Sequence, residues 1–142
     1  MDVNKSMIRA SQISISIAAV HGMAMFVQLV RKMRLIRKHG KSFDRYNSLD
    51  MHSIDRMVAN LIEWSIIFLP LVWSLGVTGN LDDTATRTSM TYVGLRGFYV
   101  ALVSTFGVRR NGINVPLWIA TFPSYGCLTV LLFKALHVIW TG

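Results

Sequence analysis

The sequence is poor in cysteine, proline and acidic residues. Its 142 residues include three prolines and a single cysteine, Cys127, so no disulfide can form within the chain. Asp and Glu number 7 against 15 Lys and Arg. The four histidines have no cysteine or carboxylate at the spacing of metal ligands, and we therefore expect no metal site.

What the chain has instead is long apolar stretches without charge. No Asp, Glu, Lys or Arg occurs in residues 10–30, 64–81 or 111–133, and residues 88–108 contain Arg96 alone. About 20 such residues in a helix cross a hydrocarbon core of roughly 30 Å. A soluble four-helix bundle would carry a charged face on each helix, which these stretches lack. The sequence predicts an all-α integral membrane protein, a single domain over residues 1–142, whose four transmembrane helices span about 10–31, 57–78, 89–108 and 114–140.

The net charge of +8 is concentrated in the loops on one side of the membrane. The second loop contains Asp82 and Asp83 with Arg87, whereas the third contains Arg109 and Arg110. Because cytoplasmic loops carry the excess of Lys and Arg, we expect the first and third loops to be cytoplasmic. The basic residues of the first loop are Arg31, Lys32, Arg34, Arg37, Lys38, Lys41, Arg45 and Arg56.

Two partners are compatible with such a basic loop. It can contact the anionic headgroups of the lipid bilayer, and a basic cluster is also the usual footprint of a nucleic-acid-binding surface. The sequence has no basic platform interleaved with aromatic residues and no nucleic-acid motif. We therefore expect a topology signal with headgroup contacts and no nucleic-acid partner.

Ionisable residues at membrane depth usually face a protein interior and mark a site. Span two contains Glu63, which follows Arg56 and Asn60 at positions i, i+4 and i+7 of one helix face. Glu63 lies roughly 10 Å along the helix from Arg56. This spacing predicts a polar stripe that reaches from the basic edge into the membrane.

Span three repeats the pattern with Tyr92, Arg96 and Tyr99, and Arg110 returns to a similar angle if the helix continues. Together the two stripes can line one pocket that opens towards the cytoplasmic leaflet. Guanidinium, carboxylate, amide and phenol groups suit a small zwitterionic ligand that is rich in carboxylates. The alternative is a structural ion pair, for example between Arg96 and Glu63. Residue spacing leaves both interpretations open.

These residues resemble the MAPEG family, the membrane-associated proteins in eicosanoid and glutathione metabolism. Residues 56–63 are similar to the family's R-x-x-x-N-x-x-E at the start of span two, and residues 96–99 to its R-x-x-Y in span three. Arg109 and Arg110 follow at the end of that span. The resemblance implies a homotrimer with glutathione between subunits near the cytoplasmic side. It also implies glutathione-dependent transferase, peroxidase or isomerase chemistry on lipophilic substrates, in the endoplasmic reticulum or another endomembrane, or else in an organellar membrane.

The resemblance also implies a role for each matching residue. Glu63 would bind the amino group of glutathione, while Arg56 and Asn60 would hold its carboxylate and backbone, and Tyr99 its peptide. Arg110 or its neighbour Arg109 would stabilise the thiolate, since a guanidinium near sulfur favours the anion. The adjacent subunit would add a contact from Arg31 or Arg34.

The sequence departs from the family pattern at Pro70, which comes later than the proline of the family, and at three further positions. Val103 stands where several synthases carry a second tyrosine, and Val58 and Ala59 stand where polar or basic residues are frequent. These differences favour an alternative, a non-catalytic subunit of a larger membrane complex. A transporter or channel is less compatible, because no continuous polar path reaches the acidic loop.

Overall fold

The computed structural model describes residues 2–107 and 117–141, all of which lie in helices or short connections. The four helices are α1 (Val3–His39), α2 (Leu49–Val77), α3 (Asp83–Phe106) and α4 (Phe122–Thr141). A 3-10 turn, Gly40–Ser42, follows α1, and a π-helical turn, Leu117–Thr121, leads into α4. The prediction of an all-α protein built on four helices is confirmed.

Short polar side chains determine where three of the helices begin. The carboxylate of Asp2 accepts a hydrogen bond from the amide of residue 4, and Ser48 and Asp82 cap α2 and α3 in the same way. Such caps pair amides that the first helical turn leaves without an acceptor. α1 and α3 end at Gly40 and Gly107, whose φ angles of 56° and 73° suit a residue without a β-carbon.

Three of the helices are long and apolar enough to cross a membrane: α1, α2 and α4. The chain is therefore a multi-pass integral membrane protein. α3 has 24 residues, enough in length, but it contains Asp83, Arg87 and Arg96 together with several threonines. Its passage through the bilayer stays a prediction.

At one end of the bundle, the acidic second loop is tied to basic residues of α1 and α4. Arg9 lies 2.6 Å from Asp83, and Lys134 lies 2.5 Å from Asp82. Burial raises the pKa of Asp82, but the hydrogen bonds from Lys134 and from backbone amides outweigh it and hold this pKa below its ordinary value. These contacts bring the starts of α1 and α3 and the second half of α4 to the same end of the bundle.

At the opposite end, Asp55 of α2 joins the basic first loop to α1. Its carboxylate accepts hydrogen bonds from Gln28 at 2.6 Å and from Arg45 at 3.1 and 3.3 Å. The same contact raises the pKa of Arg45. Arg31 of α1 also donates to the backbone carbonyl of Ser104 at 3.4 Å. The end of α1, the start of α2 and the end of α3 therefore meet here.

Between the two ends, α1 and α2 pack closely along their length. A β-carbon added to Gly76 would lie 3.0 Å from that of Ala10, so the glycine lets the two helices approach more closely than most side chains do. Nearer the middle, Ser65 hydrogen-bonds to His21 across the two helices at 3.2 Å. The apolar core has two parts: one near the acidic loop, which includes Ile13, Phe68, Val72 and Tyr92, and one near the basic loop, which includes Met57, Leu61, Tyr99 and Val103.

Candidate functional site

The polar stripe of α2 leaves its two charges on the surface of the single chain. Arg56 Nη1 lies 4.0 Å from Glu63 Oε1, and their side chains are 67% and 55% exposed. This spacing confirms that the two residues lie on one helix face. Such an exposed and loose pair stabilises a fold very little, so both charges stay available to a ligand or to another chain.

Asn60, midway along this stripe, turns towards α3 and meets Arg96. Arg96 Nη1 donates a hydrogen bond of 3.3 Å to Asn60 Oδ1. Arg96 is 0% exposed, and its Nε and Nη2 find no acceptor among the described residues. The ion pair that we considered between Arg96 and Glu63 is not found within residues 2–107 and 117–141, since Glu63 pairs with Arg56.

Aromatic rings hold the guanidinium of Arg96 from two sides. Its Cζ lies 5.0 Å from the ring centroid of Tyr92 and 5.9 Å from that of Trp64. Tyr92 stacks in turn on Phe68 at 4.1 Å, and Trp64 packs against Tyr125 of α4 at 4.4 Å. These rings stabilise a cation that has no carboxylate partner in the described part of the chain.

Tyr99 lies one helical turn beyond Arg96, towards the basic end of α3. It is 6% exposed and packs in the same core cluster as Met57 and Leu61 of α2. No hydrogen bond of its hydroxyl is found among the described residues. The structure thus brings Tyr99 to the α2–α3 contact but leaves the partner of its hydroxyl open.

Arg31 and Arg34 lie on α1, beside a groove of about 220 Å³ between α1 and α3. The groove is lined by these two arginines, Ser104 and the apolar residues Phe26, Val27 and Val30. None of these residues belongs to the Asn60 and Arg96 contact. In a single chain the two arginines therefore form a group of their own near the basic end. Arg109 and Arg110 lie outside the described residues.

Sequence reasoning missed two features of this region. The sequence patterns did not assign Trp64 to the site, yet its ring lies beside Arg96. The signal was available, because Trp64 is four residues after Asn60 and shares its face. The contacts of Asp55 with Gln28 and Arg45 had no such signal, since no periodic pattern links a loop to two helices.

The sequence model of the MAPEG family matches residues 13–136, nearly the whole chain. The chain belongs to the MAPEG family. Its matched region contains Arg56, Asn60, Glu63, Arg96 and Tyr99, and extends from α1 into α4. No curated protein and no solved structure matches this MAPEG chain.

The donor set suits the tripeptide that many MAPEG proteins use. Glutathione offers an ammonium, two carboxylates and two peptide groups, and the α2 stripe offers a carboxylate, a guanidinium and an amide within about two helical turns. Charge-assisted hydrogen bonds of these types are the strong ones. The residues that the structure describes therefore fit glutathione, with Arg96 behind them.

Proposed function

We propose that this protein is a membrane-bound glutathione-dependent transferase or peroxidase that acts on lipophilic electrophiles or hydroperoxides. One observation carries the proposal: Arg56, Asn60 and Glu63 form a contiguous polar face on α2, backed by a buried arginine, in a MAPEG chain. In this proposal Glu63 binds the ammonium of glutathione, Arg56 a carboxylate, and Asn60 and Tyr99 the peptide groups.

We propose further that the site is completed by a neighbouring subunit in a homotrimer. Exposed charges are costly at membrane depth unless protein or water covers them, and both Arg56 and Glu63 are more than half exposed in the single chain. A second copy that covers this face would remove the cost and enclose the ligand. Arg31 or Arg34 of that copy would then add a positive charge beside the tripeptide.

The chemical step in this proposal uses the cysteine sulfur of glutathione. Arg110, or Arg109, stabilises the thiolate, because a nearby guanidinium lowers the free energy of the anion. In transfer, the sulfur forms a bond to the electrophilic carbon and the leaving group departs with the bonding electrons. In peroxidase action, two molecules of glutathione are oxidised to the disulfide while the hydroperoxide is reduced to an alcohol and water.

The substrate in this proposal reaches the site through the bilayer. The helices that cross the membrane expose large apolar side chains along their length, among them Phe26, Ile66 and Phe133. A lipophilic electrophile concentrates in the same hydrocarbon phase. This supports lateral entry from the lipid, and we propose the endoplasmic reticulum or another endomembrane as the location.

Turnover by the purified protein tests the proposal. We expect conjugation of glutathione to a general arylating electrophile, or reduction of an organic hydroperoxide. Glu63→Gln should raise the KM for glutathione about tenfold or more, since it removes a charge-assisted contact. Arg110→Ala should lower kcat. Absence of both activities from the wild-type protein would overturn the proposal, as would full activity in both variants.

A second function has one observation in its favour. Val103, at the position of the second tyrosine in several synthases, is 0% exposed and packs in the apolar core. It offers no group to a ligand. We therefore keep the alternative of a non-catalytic MAPEG subunit in a larger membrane complex. Co-purification with other membrane subunits, together with no turnover, would favour it.

A further inference from the structure

The contact between Arg96 and Asn60 determines which way the asparagine amide points. All polar atoms of a guanidinium are donors, so the atom of Asn60 that faces Arg96 at 3.3 Å is its oxygen. The NH₂ group lies on the other branch of the planar amide, away from Arg96. Its two N–H groups find no acceptor within the residues that the structure describes, and Asn60 itself is only partly buried.

The guanidinium itself has little freedom to move. It is fully buried and lies beside the rings of Tyr92 and Trp64. Those rings are packed on Phe68 and Tyr125, so residues of α2, α3 and α4 fix the position of Arg96. Arg96 therefore has no direct access to a ligand, and its effect on one passes through Asn60.

We infer that Arg96 is a positioning residue, which holds Asn60 so that the site presents an N–H donor and selects a carbonyl or carboxylate group of the ligand. The inference rests on the proposed glutathione site. It removes Arg96 from the direct contacts of the tripeptide. It also fixes which group Asn60 presents to the ligand, namely its N–H donor. An unrestrained asparagine could rotate its amide and present either its donor or its acceptor.

Stability alone does not account for this arginine. A buried cation without a carboxylate loses its hydration, and replacing such a group by an apolar side chain of similar volume is often neutral or stabilising. Two of its nitrogens also have no acceptor in the described part of the chain. We therefore expect Arg96→Met to melt at or above the wild-type temperature. A positioning role predicts weaker ligand binding in that same variant.

A double-mutant cycle on the full-length protein in lipid nanodiscs tests the inference. Glutathione binding is measured by calorimetry for wild type, Arg96→Met, Asn60→Ala and the double variant, with melting temperatures in parallel. Each single variant should bind about tenfold more weakly, the loss expected for one misdirected hydrogen bond. The double variant should bind no more weakly than Asn60→Ala alone. Ser89→Ala, a fully buried site two turns earlier on α3, is the control and should bind as wild type does.

The outcomes separate the inference from the proposed function. If the wild type does not bind glutathione, both are overturned. If it binds and the two losses add, Arg96 acts independently of Asn60 and only the inference fails. Asn60→Asp keeps the test open should Arg96→Met not fold, because its carboxylate pairs with Arg96 yet presents no N–H. It should melt at or above the wild-type temperature and bind at least about tenfold more weakly; wild-type affinity in this variant would contradict the inference.

Discussion

At the scale of single residues, this protein places similar chemical groups in opposite environments. Arg56 is two thirds exposed, whereas Arg96 is fully buried. The exposed arginine has a carboxylate 4.0 Å away, and the buried one has aromatic rings and one amide oxygen. Charge counts in the sequence do not separate these two cases. The difference decides which arginine can touch a ligand and which acts through its neighbour.

A prediction at this scale concerns Val103. Restoring a tyrosine there by Val103→Tyr should not raise activity, because the side chain enters the packed core next to Val100 and Met57. Overpacking of this kind costs about 1–3 kcal/mol. Chemical denaturation and turnover of the variant check both statements. Val103→Leu is the smaller-volume control, and a gain of glutathione affinity in Val103→Tyr would show that position 103 reaches the site.

At the scale of helices, the long uncharged runs of the sequence overlap α1, α2 and α4, which are long and apolar enough to cross a membrane, whereas the crossing by α3 stays a prediction. Long uncharged runs mark the position of a helix locally, but the caps at Ser48 and Asp82 were not identified from the sequence, which favoured Asp50 or Ser53 as the cap of α2. The face of α2 that carries Arg56 and Glu63 was also predicted, because periodicity determines faces. The partner of Arg96 was not, since the choice between Asn60 and Glu63 depends on how α3 is rotated against α2.

A second prediction concerns the start of α3, where Asp82 is both a cap and the partner of Lys134. Asp82→Asn keeps a capping oxygen but loses the ion pair, and should cost less than about 1 kcal/mol of unfolding free energy. Asp82→Ala loses both and should cost about 1 kcal/mol more than Asp82→Asn. Lys134→Gln is the matched control for the ion pair alone. If Asp82→Asn and Asp82→Ala lost the same free energy of unfolding, the cap at Asp82 would not contribute to stability.

The same carboxylate predicts how stability changes with pH. Its pKa in the folded protein lies below the ordinary value of 3.8. A lowered pKa means that the stabilisation by Asp82 is fully present above pH 3.8 and is lost as the pH falls through the folded value. Thermal melts of wild type and Asp82→Asn should therefore converge in acid below that pH. A difference in melting temperature between the two proteins that stayed constant as the pH fell would contradict the lowered pKa of Asp82.

At the scale of the whole molecule, the ends of the bundle differ in chemistry. One end pairs acidic loop residues with Arg9 and Lys134, and the other gathers the basic loop around Asp55. The sequence predicted this asymmetry from loop charges alone. It also placed the polar stripe of α2 at the basic end. The position of Arg56 agrees with this prediction, since Arg56 lies seven residues after the first residue of α2. Subunit assembly has no comparable sequence signal and stays a proposal.

Membrane topology gives a test at this scale. In a Cys127→Ser background, single cysteines at Lys41, Asn80 and Asn111 are labelled with a membrane-impermeant maleimide in sealed vesicles. Four crossings predict that Lys41→Cys and Asn111→Cys react from one face and Asn80→Cys from the other. Labelling of Asn80→Cys and Asn111→Cys from the same face would show that α3 does not cross.

The burial of Arg96 has a consequence for biosynthesis. An arginine at the centre of a lone helix opposes insertion by about 2.5–3.5 kcal/mol on translocon-based scales. The groups that shield this side chain, Trp64 and Asn60, belong to α2, and Tyr125 of α4 supports them. In the predicted four-span topology, the third helix therefore has to leave the translocon together with the second, and the environment of Arg96 is complete only once the fourth helix has been synthesised. A chain truncated after residue 121 and followed by a linker long enough to clear the ribosomal tunnel should therefore leave its third helix accessible to water.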